Sequence, residues 1–89
     1  MAAGANTVQR SITVTTSYAP LSDTNEVYAW MDISCPPGNA GDVYFLSDDG
    51  VTDVPWIPSE WHTLTHTDLS SLQIKGTAGD IVTVVGGTR

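Results

Sequence analysis

His62 and His66 stand four residues apart, the closest approach in this sequence to a ligand pair. On a helix that spacing would put both imidazoles on one face, as zinc ligands often are. The intervening Glu of a zinc protease motif is missing, and the segment is threonine-rich and strand-like. On a strand, positions i and i+4 share a face but lie about 13 Å apart, too far for one ion. The pair therefore reads as two surface histidines. Asp48, Asp49, Asp53 and Glu60 form an acidic stretch that invites calcium, which takes several oxygen ligands. The twelve-residue EF-hand spacing is absent, and an ordinary Asp-Gly turn accounts for Asp48-Asp49-Gly50 with fewer assumptions. Serines are plentiful, but no Gly-x-Ser-x-Gly elbow presents one as a nucleophile. Cys35 is the sole cysteine, which rules out an internal disulfide and a four-thiolate zinc site. It ends an apolar alternation and reads as a buried structural thiol. No catalytic residue, metal or cofactor is expected.

The aromatic residues carry more. Trp56 and Trp61 lie in one proline-bounded segment, Val54-Pro55-Trp56-Ile57-Pro58-Ser59-Glu60-Trp61. With Trp30 and Tyr28 they are the candidate protein-interface residues, because Trp and Tyr are enriched among interface anchors. Two other roles stay open: capping the end of a small core, and stacking on the ring of a sugar.

These residues must be positioned by a small scaffold. The chain has 89 residues, 40% hydrophobic and 15% charged, with a net charge of −7. One domain of this size buries roughly 60 to 65% of its unfolded surface, so a neighbouring subunit would add useful stability. Ten acids against three bases repel phosphates and anionic lipid, so neither nucleic acid nor a membrane surface is an expected partner. A basic protein surface would attract it. No stretch approaches the roughly 20 apolar residues of a membrane-spanning helix. Residues 1–7 carry neither a basic start nor an apolar run, unlike a signal peptide, and read as a flexible arm.

Period-2 segments dominate, broken by Gly, Pro and Asp. Val8, Arg10, Ile12 and Val14 share one face of a first strand. Val27, Ala29, Met31, Ile33 and Cys35 share a face of the second, with Tyr28, Trp30, Asp32 and Ser34 opposite, and Pro36-Pro37 ends it. Val43 to Leu46 is a compact third strand. Pro55 and Pro58 force an extended, edge-like passage. Ser59 to His62 reads as a turn or one turn of helix capped by Ser59, and His62 to Thr67 alternates weakly. Leu69 to Lys75 and Asp80 to Val85 supply further strands, and residues 86–89 read as a flexible end. Gly38-Asn39-Ala40-Gly41-Asp42-Val43 is echoed by Gly76-Thr77-Ala78-Gly79-Asp80-Ile81, which suggests two similarly built hairpins with each Asp bonding backbone amides. Connections this short leave no room for parallel crossovers. The expected fold is all-β: a small antiparallel β-sandwich or barrel of about six to seven short strands, one domain over residues 8–85.

From Asp42 on, the chain resembles small structural proteins of tailed phages. The resemblance rests on Asp42-Val43-Tyr44-Phe45-Leu46-Ser47-Asp48-Asp49-Gly50, on Val54-Pro55-Trp56-Ile57-Pro58 followed by Trp61-His62, and on Asp68 to Thr88 with its Gly-Thr-Ala-Gly-Asp turn and Val-rich last strand. It implies a non-enzymatic bacteriophage virion protein, assembled in the host cytoplasm. The implied role is capsid decoration or cementing, as a homo-oligomer bound to the major capsid protein or other virion proteins. Neck, tail or fibre attachment is the other virion role it allows. A small glycan-binding module, with Trp56, Trp61 and the acidic turn holding a sugar, is the competing expectation.

Overall fold

Branched and threonine-rich runs make strands here, and proline, glycine and aspartate separate them. The computed structural model describes residues 7–88. These described residues form eight strands: β1 (Thr7–Thr13), β2 (Ala19–Pro20), β3 (Val27–Ser34), β4 (Val43–Leu46), β5 (Asp53–Trp56), β6 (Trp61–Asp68), β7 (Gln73–Lys75) and β8 (Ile81–Gly87). They pair into two four-stranded sheets, β1-β8-β3-β6 and β2-β7-β4-β5. Every pairing is antiparallel. The chain is thus the expected antiparallel β-sandwich, with eight strands. Each connection except β4–β5 passes from one sheet to the other. This winding order is that of a jelly roll, two Greek keys folded face to face.

The core lies between the sheets. Met31 and Ile33 of β3 and Val82 and Val84 of β8 join Val43, Phe45 and Ile74 of the other sheet in one cluster. Cys35 belongs to it, as its place in the alternation suggests. Burial, with Glu60, Asp42 and Asp80 nearby, pushes its thiol up to about 11, so at neutral pH it is a protonated apolar filler. Arg10 shares the core-facing side of β1, opposite Val84. Its charge is met at the flank by Glu26, with Nη1 and Nη2 donating to the two carboxylate oxygens at 2.9 and 3.0 Å.

The echoed loops are not hairpin turns. One joins β3 to β4 and the other β7 to β8, so both cross between sheets, and they dock on each other. Asp80 accepts from the amides of Ala40 (2.9 Å) and Gly41 (3.1 Å). Asn39 donates to the Ile81 carbonyl (2.9 Å) and accepts from the Ile81 amide (3.0 Å). The aspartate does bind backbone amides, but those of the partner loop. The hairpin in the fold is β4–β5, turning at Gly50 with φ +75°.

Several local expectations change. Val27 is 59% exposed, while Tyr28 packs against the core. The face switches where the β3–β6 ladder is interrupted between Tyr28↔Thr67 and Trp30↔Thr65, opposite His66 with φ +50°. Ala19–Pro20, which lies outside every expected strand, is a two-residue strand paired to β7. Leu69–Ser71 is a 3-10 turn because Asp68 accepts from the Ser70 amide, so only Gln73–Lys75 of that segment is strand. Pro58 and Ser59 form a tight turn closed by Glu60 N–H to the Ile57 carbonyl, with Ser59 at φ +81° rather than capping a helix.

The supposed flexible end at 86–89 also differs. Gly86 and Gly87 complete β8, the strand between β1 and β3. A Cβ on Gly86 would lie 2.6 Å from the Trp30 carbonyl oxygen and 2.9 Å from the Met31 Cβ, so glycine here permits close strand packing, not motion. Arg89 lies outside the described residues, as does the proposed arm except Thr7, which opens β1.

Chemical denaturation checks these contacts. Gly86→Ala should destabilise the fold by about 3 kcal/mol through overpacking. Asp80→Ala should cost about 1 to 2 kcal/mol by leaving the part-buried Ala40 and Gly41 amides without their acceptor. Gly38→Ala, whose Cβ meets nothing within 4 Å, should change stability by less than about 0.5 kcal/mol.

Candidate functional site

The four candidate aromatic residues divide. Trp56 sits opposite Val43, on the core side of β5, and is 8% exposed. It stacks on Phe45 (centroids 4.0 Å apart, planes at 24°) and takes the edge of His62 at 4.6 Å. Trp56 therefore closes the core between β5 and β6 and is not a surface anchor. This separates it from Trp61, so the two do not form a sugar-stacking pair.

Tyr28 is committed to an internal network. Its hydroxyl donates to Glu26 Oε1 at 2.9 Å, and the same carboxylate takes the Arg10 guanidinium and the Ser22 hydroxyl. The Arg10 hydrogen bond, then that from Ser22, hold the Glu26 carboxyl down at about 2. Burial, followed by the bond to Glu26, pushes the Tyr28 phenol up.

Trp30 and Trp61 lie on the outer face of the β1-β8-β3-β6 sheet. Trp30 is half-buried in a row with Gly87 and Thr65. Trp61 opens β6 beside Ser34 and is 61% exposed. Between them Thr63 donates to Asp32 at 2.6 Å, and the Ser34 and Thr83 hydroxyls bond each other. The face is thus largely polar, with Val85 part-exposed beside Asp32 and Trp61 standing out at its edge.

That edge is β6. A sheet edge offers a row of unpaired amides and carbonyls, and natural proteins guard such rows with short strands, prolines, charges or bulges. β2 has two residues, one of them Pro20; β5 has four, including Asp53 and Pro55; β1 carries Arg10. β6 has eight residues without proline, lysine or arginine, and Asp68 is its one acid, at the far end. The left-handed His66 disturbs its last third and leaves Trp61–Thr65 as the regular run. Ile57, in the turn just before it, is 58% exposed and widens the apolar lip. Sequence reasoning did not mark β6 as an edge because Trp-His-Thr-Leu-Thr-His-Thr-Asp is largely polar on both faces; the usable signal was its lack of guarding residues.

Asp49, Asp53, Glu60 and His62, four of the groups that invited metal chemistry, are engaged elsewhere. Asp49 accepts from the Val51 and Thr52 amides, both at 2.8 Å, and from the Ser47 and Thr52 hydroxyls. These bonds, those from the Ser47 and Thr52 side chains first, hold its pKa well below the usual range. Asp53 accepts from the Tyr18 hydroxyl and lies 3.4 Å from Lys75 Nζ. Glu60 accepts from the Ile57 amide at 3.0 Å and pairs with His62. Among the described residues, no three His, Cys, Asp or Glu side chains are grouped to hold an ion.

Comparison of the chain with protein-family models, with curated proteins and with solved structures returns no match.

The Glu26 network makes stability depend on acidity. Its carboxyl falls from the ordinary 4.5 to about 2 on folding, so its contribution is present above about pH 4.5 and is lost as pH drops toward 2. Arg10 is partly exposed, which limits the pair to about 1 kcal/mol. Urea midpoints should show Glu26→Gln weaker than the parent at about pH 6 and the two converging at about pH 2.

Proposed function

We propose that this chain is a non-enzymatic structural protein of a bacteriophage virion, a capsid decoration or cement protein that binds the assembled shell as an oligomer. The observation that carries this reading is the unguarded β6 edge with Trp61 exposed at its start. Such an edge docks another strand by main-chain hydrogen bonds, and a protruding Trp supplies the anchor.

Four further features support it. The jelly roll is an architecture used by viral capsid domains, although a fold alone does not define a function and the surface must carry the argument. The resemblance from Asp42 onward points the same way. The net charge of −7 favours a basic partner surface and discourages nucleic acid. The outer face is rich in threonine and serine, which suits broad, wet, polar contact around a small apolar centre. Capsid, neck, tail and fibre all present protein surfaces of this kind, and the capsid is preferred because a compact body with a free edge can bridge neighbouring subunits.

The test combines light scattering with co-sedimentation on emptied phage shells. The parent should form a discrete oligomer that persists on dilution, and should pellet with shells. Trp61→Ala and Thr65→Lys should each weaken shell binding about tenfold or more while leaving the β-type circular dichroism intact. If both variants bind shells as tightly as the parent, β6 is not the attachment surface; if the parent does not bind shells, neck, tail and fibre assemblies included, the virion role fails.

A further inference from the structure

A second surface lies on the opposite sheet and has no part in the β6 edge. Where β4 and β7 meet the echoed loops, Thr16, Gly41, Asp42, Tyr44, Lys75, Gly76 and Thr77 line an open groove of about 400 Å³. That volume falls within the ~300–1,000 Å³ of small-ligand clefts. Its backbone is fixed. Gly76 packs so closely that a Cβ would lie 2.9 Å from the Asp42 carbonyl oxygen, and the clasp of Asp80 on Ala40 and Gly41 holds the adjoining loop.

Asp42 in this groove is, with Asp23 and Asp48, one of three carboxylates among the described residues that make no hydrogen bond within the fold; the other seven do. Glu26, Asp32, Asp49, Asp53, Glu60, Asp68 and Asp80 all bond within the fold. The side chains of Asp42, Tyr44, Thr16 and Thr77 make no hydrogen bond to another described residue. They comprise a carboxylate acceptor, a phenol and two hydroxyls gathered around one concavity, with the half-buried Tyr44 ring among them.

We infer that this groove binds a neutral saccharide. The charges set the class. Asp42 and the acidic chain disfavour an anion. Lys75 lines the groove too, with its ammonium 4.7 Å from the Tyr18 ring centroid and 3.4 Å from Asp53, and disfavours a cation. What remains is a neutral ligand rich in hydroxyls and carrying an apolar C–H face. The aromatic ring receives that face. The Asp42 carboxylate accepts from hydroxyls in charge-assisted hydrogen bonds, and Thr16, Thr77 and the Tyr44 phenol donate or accept around the rim. The cleft is open, so an internal unit of a longer glycan fits as well as a free sugar.

The experiment is an amide-resolved NMR titration of the full chain with maltose, lactose and cellobiose, and with maltohexaose as the extended-chain arm. The expected result is shifts confined to the groove residues with at least one sugar, with Kd of about 1 mM, the scale of a weak contact worth about 4 kcal/mol. A hexasaccharide that binds more than about tenfold tighter than its disaccharide would assign an extended glycan, and equal affinities a single sugar unit. Asp42→Asn should weaken binding about tenfold, and Thr77→Val, a second surface change, several-fold. Both should leave shell binding through β6 unchanged, which separates this inference from the virion reading. Absence of shifts with every sugar, shifts centred on Trp30 or Trp61 instead, or stronger perturbation of the groove by inorganic phosphate or choline than by any sugar would overturn it.

Discussion

The Asp80 carboxylate receives the amides of Ala40 and Gly41, while Asn39 exchanges two hydrogen bonds with the backbone of Ile81. These four bonds clasp the β3–β4 connection to the β7–β8 connection. Each connection carries the chain from one sheet to the other, so the clasp fixes the spacing of the sheets at one end. Asp80 is almost fully buried, and a buried carboxylate is tolerable because two amides complete its shell. The alignment of β3 and β8 at the centre of one sheet, and of β4 and β7 at the centre of the other, follows from this joint. So does the floor of the groove beside Tyr44.

A small sandwich has little interior, and the closing of its sides decides which aromatic residues stay outside. On one side Trp56 fills the gap between β5 and β6, stacked on Phe45 and met by His62. On the other, Arg10, Glu26, Tyr28 and Ser22 form a polar seal, with a bidentate guanidinium–carboxylate contact at its centre. With these two closures in place, Trp61 has no core to enter and remains exposed beside an unguarded strand. The proposed attachment surface is in this sense a residue of how the core was completed. Gly86 contributes as well, since its missing side chain lets β8 lie tightly against β3.

Much of the fold was legible. Alternation found β1, β3, β4 and β8, because each has one face packed and one hydrated. It misjudged β7, where Asp68 captured the first residues into a 3-10 turn, and it passed over β2, which is too short to show a period. The candidate site was legible as residue types but not as a place. Nothing in the local pattern distinguishes Trp56 from Trp61, five residues apart in one proline-bounded segment, yet the intervening turn sends one into the core and the other out to solvent. Tyr28 was assigned to the outward face, and the interruption opposite His66 turned it inward.

The sequence by itself determined the class: an antiparallel β domain whose single thiol is buried, whose acidic balance repels phosphate, and whose prolines and Asp-Gly turn delimit its strands. These properties are set by composition and by contacts a few residues long. Tertiary structure alone decided which strands became edges, which tryptophan was buried, and that the two echoed loops grip each other rather than turn hairpins. Those outcomes depend on residues about forty positions apart meeting across two sheets, as Asn39 meets Ile81 and Ala40 meets Asp80. A period-2 pattern specifies which face of a strand is apolar, but not which neighbour will cover it.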